Sequence, residues 1–254
     1  VLGQSVLRPF RGRAQSAGEP LSRLVCFPHA GGTASAFNAW GALFPREVEV
    51  LAVQLPGREG RYREPVPTDL DALIAELTAA VAAQGGVPTV FFGHSWGAIL
   101  AFEVSLRLLH TTSWSVDHLV VAGSVAPHVP MRMARLSHLP RAEFLTGITR
   151  LGGIPPVILA HEECLDLVIP ALRADLRLAE SYAPRPRRQL PCPITVFAGT
   201  GDPLTPVPAL DAWGEYTSAG FRRVMFEGDH FFVQSAHRQV AAAVAAIMSS
   251  RNAM

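Results

Sequence analysis

At 254 residues, 49% of them hydrophobic and with a net charge of +1, the chain has material for one sizeable core and no excess of either sign. No basic stripe with interleaved aromatics appears, which excludes the usual nucleic-acid-binding pattern, and no apolar run is long enough to span a membrane. Cys26, Cys164 and Cys192 stand singly and in odd number, without metal-ligand spacing, so a reducing compartment is expected and a disulfide framework is not.

In chain order, residues 1–20 are rich in Arg, Gly, Ser and Pro and read as an irregular lead-in. Arg8, Arg11 and Arg13 have no apolar stretch behind them, so no secretory signal is expected and the expectation is a cytoplasmic protein. Residues 21–27 form the first expected strand, running into a glycine-rich loop at 28–32 and a helical stretch from about 36 to 43. A second strand at 48–54 empties into Leu55-Pro56-Gly57-Arg58-Glu59, and the polar run continues to Glu64. Thr68 is placed to cap a helix with Asp69 and Asp71 in its first turn, where negative charge meets the positive helix end. Leu70, Leu73, Ile74, Leu77 and Val81 form its apolar stripe, and Gly85-Gly86 ends it.

A strand at 89–92, the pentapeptide Gly93-His94-Ser95-Trp96-Gly97 and a helix to about 110 follow, then a strand at 118–122. Alternating strands and helices imply a mostly parallel sheet with helices on both faces. From about 127 to 188 the rhythm changes to short amphipathic helices, near 140–149, 162–167 and 169–181, broken by Gly152-Gly153 and Pro155-Pro156. Such an insertion after the strand carrying the serine is a candidate lid; its plain alternative is a helical subdomain without a gating role. The pattern resumes with a strand at 194–198, a helix near 208–216, a strand at 222–226, the loop Glu227-Gly228-Asp229-His230 and a closing helix at 234–250. One domain over 21–254 is expected.

Gly-x-Ser-x-Gly between a strand and a helix is the nucleophile elbow, in which the glycines permit a turn tight enough to hold Ser95 exposed at the sheet's edge. A serine nucleophile needs a base and an orienter, supplied on such sheets in the order Ser, Asp, His from loops after later strands. His230 follows the last strand and is the expected base. Asp202, in the loop Gly199-Thr200-Gly201-Asp202-Pro203, is preferred as orienter to Asp229, because adjacent residues rarely aim at each other. The backbone N–H groups of Trp96 and Ala30 are the expected oxyanion donors, with Gly31 the rival to Ala30. His29 and Trp96 are candidates to line a substrate channel.

The chain resembles the type II thioesterases, free-standing editing hydrolases of polyketide synthase and nonribosomal peptide synthetase pathways. The resemblance is carried by CFPHAGG (26–32), QLPGREGRYREP (54–65), GHSWGA (93–98), RLGGIPP (150–156) and PALRADLRLAESY (170–182), with GDH at 228–230. Two positions depart from the pattern: Trp96 stands where Met is usual and Ile154 where Thr is common. The resemblance implies an α/β-hydrolase fold and a Ser–Asp–His triad at Ser95, Asp202 and His230. It also implies hydrolysis of acyl thioesters on the phosphopantetheine arm of an acyl or peptidyl carrier protein acting in trans, with no metal or bound cofactor. A monomer is expected, with no nucleic-acid or membrane partner. Carrier proteins of this kind are acidic, so two arginine groups bracketing the insertion are docking candidates: Arg132, Arg135 and Arg141, and Arg185, Arg187 and Arg188. The rivals are a carboxylesterase or acyltransferase using the same triad, and a catalytically silent binding protein on the same fold.

Overall fold

The computed structural model describes residues 5–10, 20–130, 134–184 and 188–251. Its strands are β1 (Leu7–Phe10), β2 (Ser22–Phe27), β3 (Val48–Val53), β4 (Thr89–His94), β5 (His118–Ala122), β6 (Ile194–Gly199) and β7 (Phe221–Phe226). They form one sheet in the order β1-β3-β2-β4-β5-β6-β7, with β1 antiparallel to β3 and every other pair parallel. β2, β4, β5 and β6 are buried along their whole length, which explains why they read as apolar runs rather than as alternating patterns. This is the α/β-hydrolase arrangement expected.

The helices are α1 (Leu70–Ala82), α2 (Trp96–Thr111), α3 (Arg141–Arg150), α4 (Pro156–Leu159), α5 (Glu162–Ser181), α6 (Val207–Asp211), α7 (Phe232–Ser235) and α8 (His237–Arg251). Alternate strand residues serve two cores. Val25, Phe91 and Val121 face Leu77 of α1 and Phe102 of α2 in one. Cys26, Phe92 and Val120 face Trp40 and Val240, the latter from α8, in the other. The chain lays β3 on one side of β2 and then crosses to place β4 on the other. The loops after β2 and β4 therefore part at the carboxyl edge, where this kind of sheet opens a crevice.

Four expectations are corrected. Within the segment expected to be irregular, residues 7–10 form β1, an edge strand that a four-residue sequence with Pro9 does not announce. The cap of α1 is Asp69 rather than Thr68: its Oδ1 accepts from the Asp71 amide at 2.8 Å and the Ala72 amide at 3.3 Å. The stretch expected as a helix at 36–43 is a 3-10 helix over Ala34–Ala42. The two helices expected at 162–167 and 169–181 are the single helix α5, with Pro170 inside it. An interior proline costs a helix about 3 kcal/mol. Leu165, Ile169, Leu172 and Leu176 lie on one face of α5 and are all buried, each contributing roughly 1.5–3 kcal/mol, so packing outweighs the proline. With Phe144 and Ile148 of α3, they form a third core that roofs the carboxyl edge of the sheet.

Candidate active site

The elbow is built as its glycines require. Ser95 sits at φ 54° and ψ −119°, outside the ordinary regions for a residue with a side chain, and the cost of such a conformation is on the order of 1–3 kcal/mol. Its amide donates to the Ala122 carbonyl of β5 at 2.7 Å, so the neighbouring strand holds the turn. A Cβ on Gly93 would lie 2.4 Å from Ala98 Cα, and one on Gly97 would lie 2.2 Å from the Phe27 carbonyl oxygen. Both contacts are with backbone and cannot relax.

His230 follows β7 in a loop shaped by Asp229, whose Oδ1 accepts from the Phe231 amide at 2.8 Å. Asp229 therefore makes the turn, as expected, and does not face the imidazole. His230 Nδ1–H donates to Asp202 Oδ2 at 2.8 Å, which leaves Nε2 as the acceptor for the Ser95 hydroxyl at 2.9 Å. The three residues singled out from the sequence thus come together from β4, β6 and β7 at one edge. Asp202 is buried, and its carboxylate also accepts from the Leu204 amide and the Thr205 hydroxyl, each at 2.9 Å. Burial alone would raise its pKa; the hydrogen bond and charge of His230, with those two donors, outweigh it and hold Asp202 below the usual carboxylate value.

Two histidines flank the triad. His94 went unassigned in the sequence because it adjoins Ser95, yet its Nε2–H donates to the His230 carbonyl at 2.9 Å and ties the elbow to the base loop. Burial first, then the charges of His29 and His230, push its pKa well down. His29 borders the cleft as expected, edge-on to His94 at 5.2 Å and to Phe231 at 5.3 Å between ring centroids. Burial, with the nearby His230 and Arg58, lowers its pKa to about 4, so it is neutral at ordinary pH.

The cleft beside Ser95 and His230 is narrow, with a volume of about 70 Å³, and apolar side chains from the insertion, among them Ile148, Leu172 and Leu176, line it. Ala30 and Trp96 border it as well. The Gly31 amide is committed elsewhere: it donates to Asp175 Oδ2 at 2.8 Å. Trp96 is 2% exposed and also borders a second cavity, of about 370 Å³. Its indole Nε1 is the buried side-chain polar atom left without a hydrogen-bond partner among the described residues.

The arginine groups are less uniform than the sequence suggested. Arg141 pairs with Glu162 at 2.6 Å and Asp166 at 2.8 Å within the insertion, so its charge is compensated there. Arg188 reaches His110 Nε2 at 2.6 Å, and Arg135 borders the second cavity. Arg132, Arg185 and Arg187 lie outside the described residues.

The thioesterase domain model matches residues 22–248, from β2 through most of α8. The chain belongs to the thioesterase family. Among curated relatives of this thioesterase, linear gramicidin dehydrogenase LgrE of Brevibacillus parabrevis is 37% identical over 89% of this chain and 88% of that protein. The redox activity in that name belongs to that protein; the family model and the serine elbow here both speak of hydrolysis. Among solved structures, the RedJ thioesterase of the prodiginine biosynthetic pathway in Streptomyces coelicolor superposes with a TM-score of 0.83. It is 36% identical, over 93% of this chain and 91% of that one. The type II thioesterase BorB of the borrelidin biosynthetic cluster superposes with a TM-score of 0.81 at 30% identity, over 96% of this chain and 97% of that one. The chain is thus a thioesterase of the type II kind found in nonribosomal peptide and polyketide pathways. No described helix is long and apolar enough to cross a membrane.

Proposed function

We propose that this thioesterase uses Ser95, His230 and Asp202 to hydrolyse acyl thioesters on the phosphopantetheine arm of an acyl or peptidyl carrier protein acting in trans, clearing stalled or aberrant acyl groups. The observation that carries this is the unbroken relay from Ser95 Oγ through His230 to buried Asp202 at the mouth of an apolar cleft. His230 takes the serine proton as Oγ attacks the thioester carbonyl, and Asp202 steadies the imidazolium. The oxyanion is received by the N–H groups of Trp96 and Ala30. Ala30 is favoured over Gly31 because the Gly31 N–H is occupied by Asp175. Collapse of the tetrahedral intermediate expels the thiol, a good leaving group with a pKa near ~8.5, with a proton from His230. Water activated by the same histidine then releases the acid from acyl-Ser95. No step calls on a metal or bound cofactor.

Support for a carrier partner comes from the pathways named for the relatives. Docking by the arginines that flank the insertion is part of the proposal, with Arg135 and Arg188 favoured over the internally paired Arg141. Encounter should then weaken with salt, since rim charges are screened over about 10 Å at 0.1 M. The test compares one acyl group on a carrier protein and on a small thiol. We expect higher kcat/KM on the carrier, an advantage that shrinks with salt, and an acyl adduct on Ser95 by mass spectrometry. Ser95→Ala should lower kcat on the order of 10⁶-fold. Faster turnover of simple aryl esters would favour a carboxylesterase, and transfer to an added alcohol or amine an acyltransferase. An adduct on a cysteine would overturn the mechanism.

A further inference from the structure

The turn that carries Ala30 closes with the Gly32 amide donating to the His29 carbonyl at 2.8 Å, and Gly31 occupies its third position at φ +72°. That is a type II turn, which differs from type I by a flip of the peptide between its two central residues, here Ala30 and Gly31. The Gly31 N–H belongs to that peptide and points at the carboxylate of Asp175 on α5, with Oδ2 at 2.8 Å. Flipping the peptide would bring the Ala30 carbonyl toward a carboxylate in place of an N–H. Asp175 therefore selects the orientation of this peptide electrostatically.

Asp175 is fully buried and is held in turn by Arg58, whose Nη1 donates to Oδ2 at 2.5 Å and Nη2 to Oδ1 at 2.9 Å. Arg58 Nη1 also donates to the Gly32 carbonyl at 3.3 Å, so one guanidinium grips both the carboxylate and the turn. A turn earlier on α5, Leu172 packs so closely that a Cβ on Gly31 would lie 2.8 Å from its Cδ1. The oxyanion turn is thus clamped from the loop after β3 and from α5 in the roof. A buried, two-pronged ion pair is a poor source of net stability, because the desolvation of both charges offsets their attraction. Its geometry serves orientation instead.

We infer that Asp175 and Arg58 are positioning residues for the oxyanion turn, so that the turn holds its donor toward Ser95 only while α5 is seated on it. This rests on the reading of Ser95 as nucleophile and Ala30 as donor. Seating of the roof helix and catalytic competence become one event.

The test uses Asp175→Asn, Arg58→Lys and a third variant in which the Gly31 amide is replaced by an ester, deleting the N–H while keeping the ion pair. For each, kcat is normalised to the Ser95 sites titrated by a fluorophosphonate. Two probes separate the states: an alkylboronic acid, which forms a tetrahedral adduct on Ser95, and a non-hydrolysable thioether analogue of the substrate. Loss of a whole oxyanion donor costs roughly 10²–10³ in rate, and a misaimed one part of that. Asp175→Asn and the ester should each lower kcat about 10–100-fold and weaken the boronate by a similar factor, with thioether affinity within about twofold of wild type. Arg58→Lys, which keeps Asp175 charged, should lose less than either. Should Asp175→Asn fail to fold, the ester decides alone. Wild-type kcat per titrated site in the ester variant, or parallel loss of boronate and thioether binding, would overturn the inference. A wild type that forms no Ser95 adduct would instead sink the nucleophile reading, and this inference with it.

Discussion

Acid should loosen this fold before any carboxylate near the site is protonated, and His29 sets the size of the effect. Its pKa is about 4 in the folded protein against 6.5 for an unperturbed imidazole, with burial the main cause. A histidine whose folded pKa is depressed favours the folded state above its unfolded pKa, and that advantage drains away as pH falls from 6.5 toward 4. At pH 4.5 the unfolded chain binds nearly a full proton there and the folded chain about a quarter of one. Integrated from pH 7.5, the difference is roughly 2–3 kcal/mol, and His94, shifted in the same direction, adds to it. Asp202, Glu59 and Glu64, whose pKa values the fold lowers, begin to lose their contribution only near and below pH 4.5. The window from 6.5 to 4.5 therefore isolates these two imidazoles. Urea titrations at pH 7.5, 6.5, 5.5 and 4.5 on wild type and His29→Gln should show the variant losing about 2–3 kcal/mol less across that window. Equal losses in the two proteins would refute the assignment of this proton linkage to His29.

The two aspartates near the base should separate cleanly: Asp202→Asn should lower kcat roughly 10⁴-fold through the wrong histidine tautomer. Asp229→Asn should leave kcat within a few-fold, and steady-state rates on one thioester will decide. Trp96→Met should shift the acyl preference toward longer or branched chains, because Trp96 lines both the cleft and the second cavity and Met is smaller. An unchanged chain-length profile would assign the side chain to packing alone. Gly97→Ala should destabilise the protein by at least about 3 kcal/mol or abolish soluble expression, because its Cβ would meet the Phe27 and Pro28 carbonyl oxygens at 2.2 and 2.4 Å. A wild-type urea midpoint for that variant would contradict the packing described here.

The triad was legible because each member sits at a strand end, and strand ends are marked in the sequence by apolar runs giving way to glycine. Ser95, Asp202 and His230 each carry that mark, and chain order assigns the roles. The boundaries that went astray have local physical reasons. Thr68 and Asp69 are both good caps, and one residue decides which oxygen reaches the first free amides. Pro170 signals a break, yet the buried face of α5 overrides it. Asp175 could not have been assigned from spacing, since its partners Arg58 and Gly31 lie 117 and 144 residues away. The visible clues were Gly-Arg in the loop after β3 and a lone Asp at a buried position of an amphipathic helix, which together ask for a partner. His94 was hidden by its own adjacency to the nucleophile.

Ser95 hangs from β4 at the middle of the sheet, but His230 hangs from β7, an edge strand whose side chains are only half covered. Local opening begins where a strand has one neighbour instead of two and little apolar cover. On warming, β7 should fray while β2, β4 and β5 still hold, withdrawing the base from a nucleophile that has not moved. Esterolytic capacity and the sheet's circular dichroism would then fade at different temperatures, the first below the second. A storage assay based on turnover would record damage in this molecule that a spectroscopic melt cannot see.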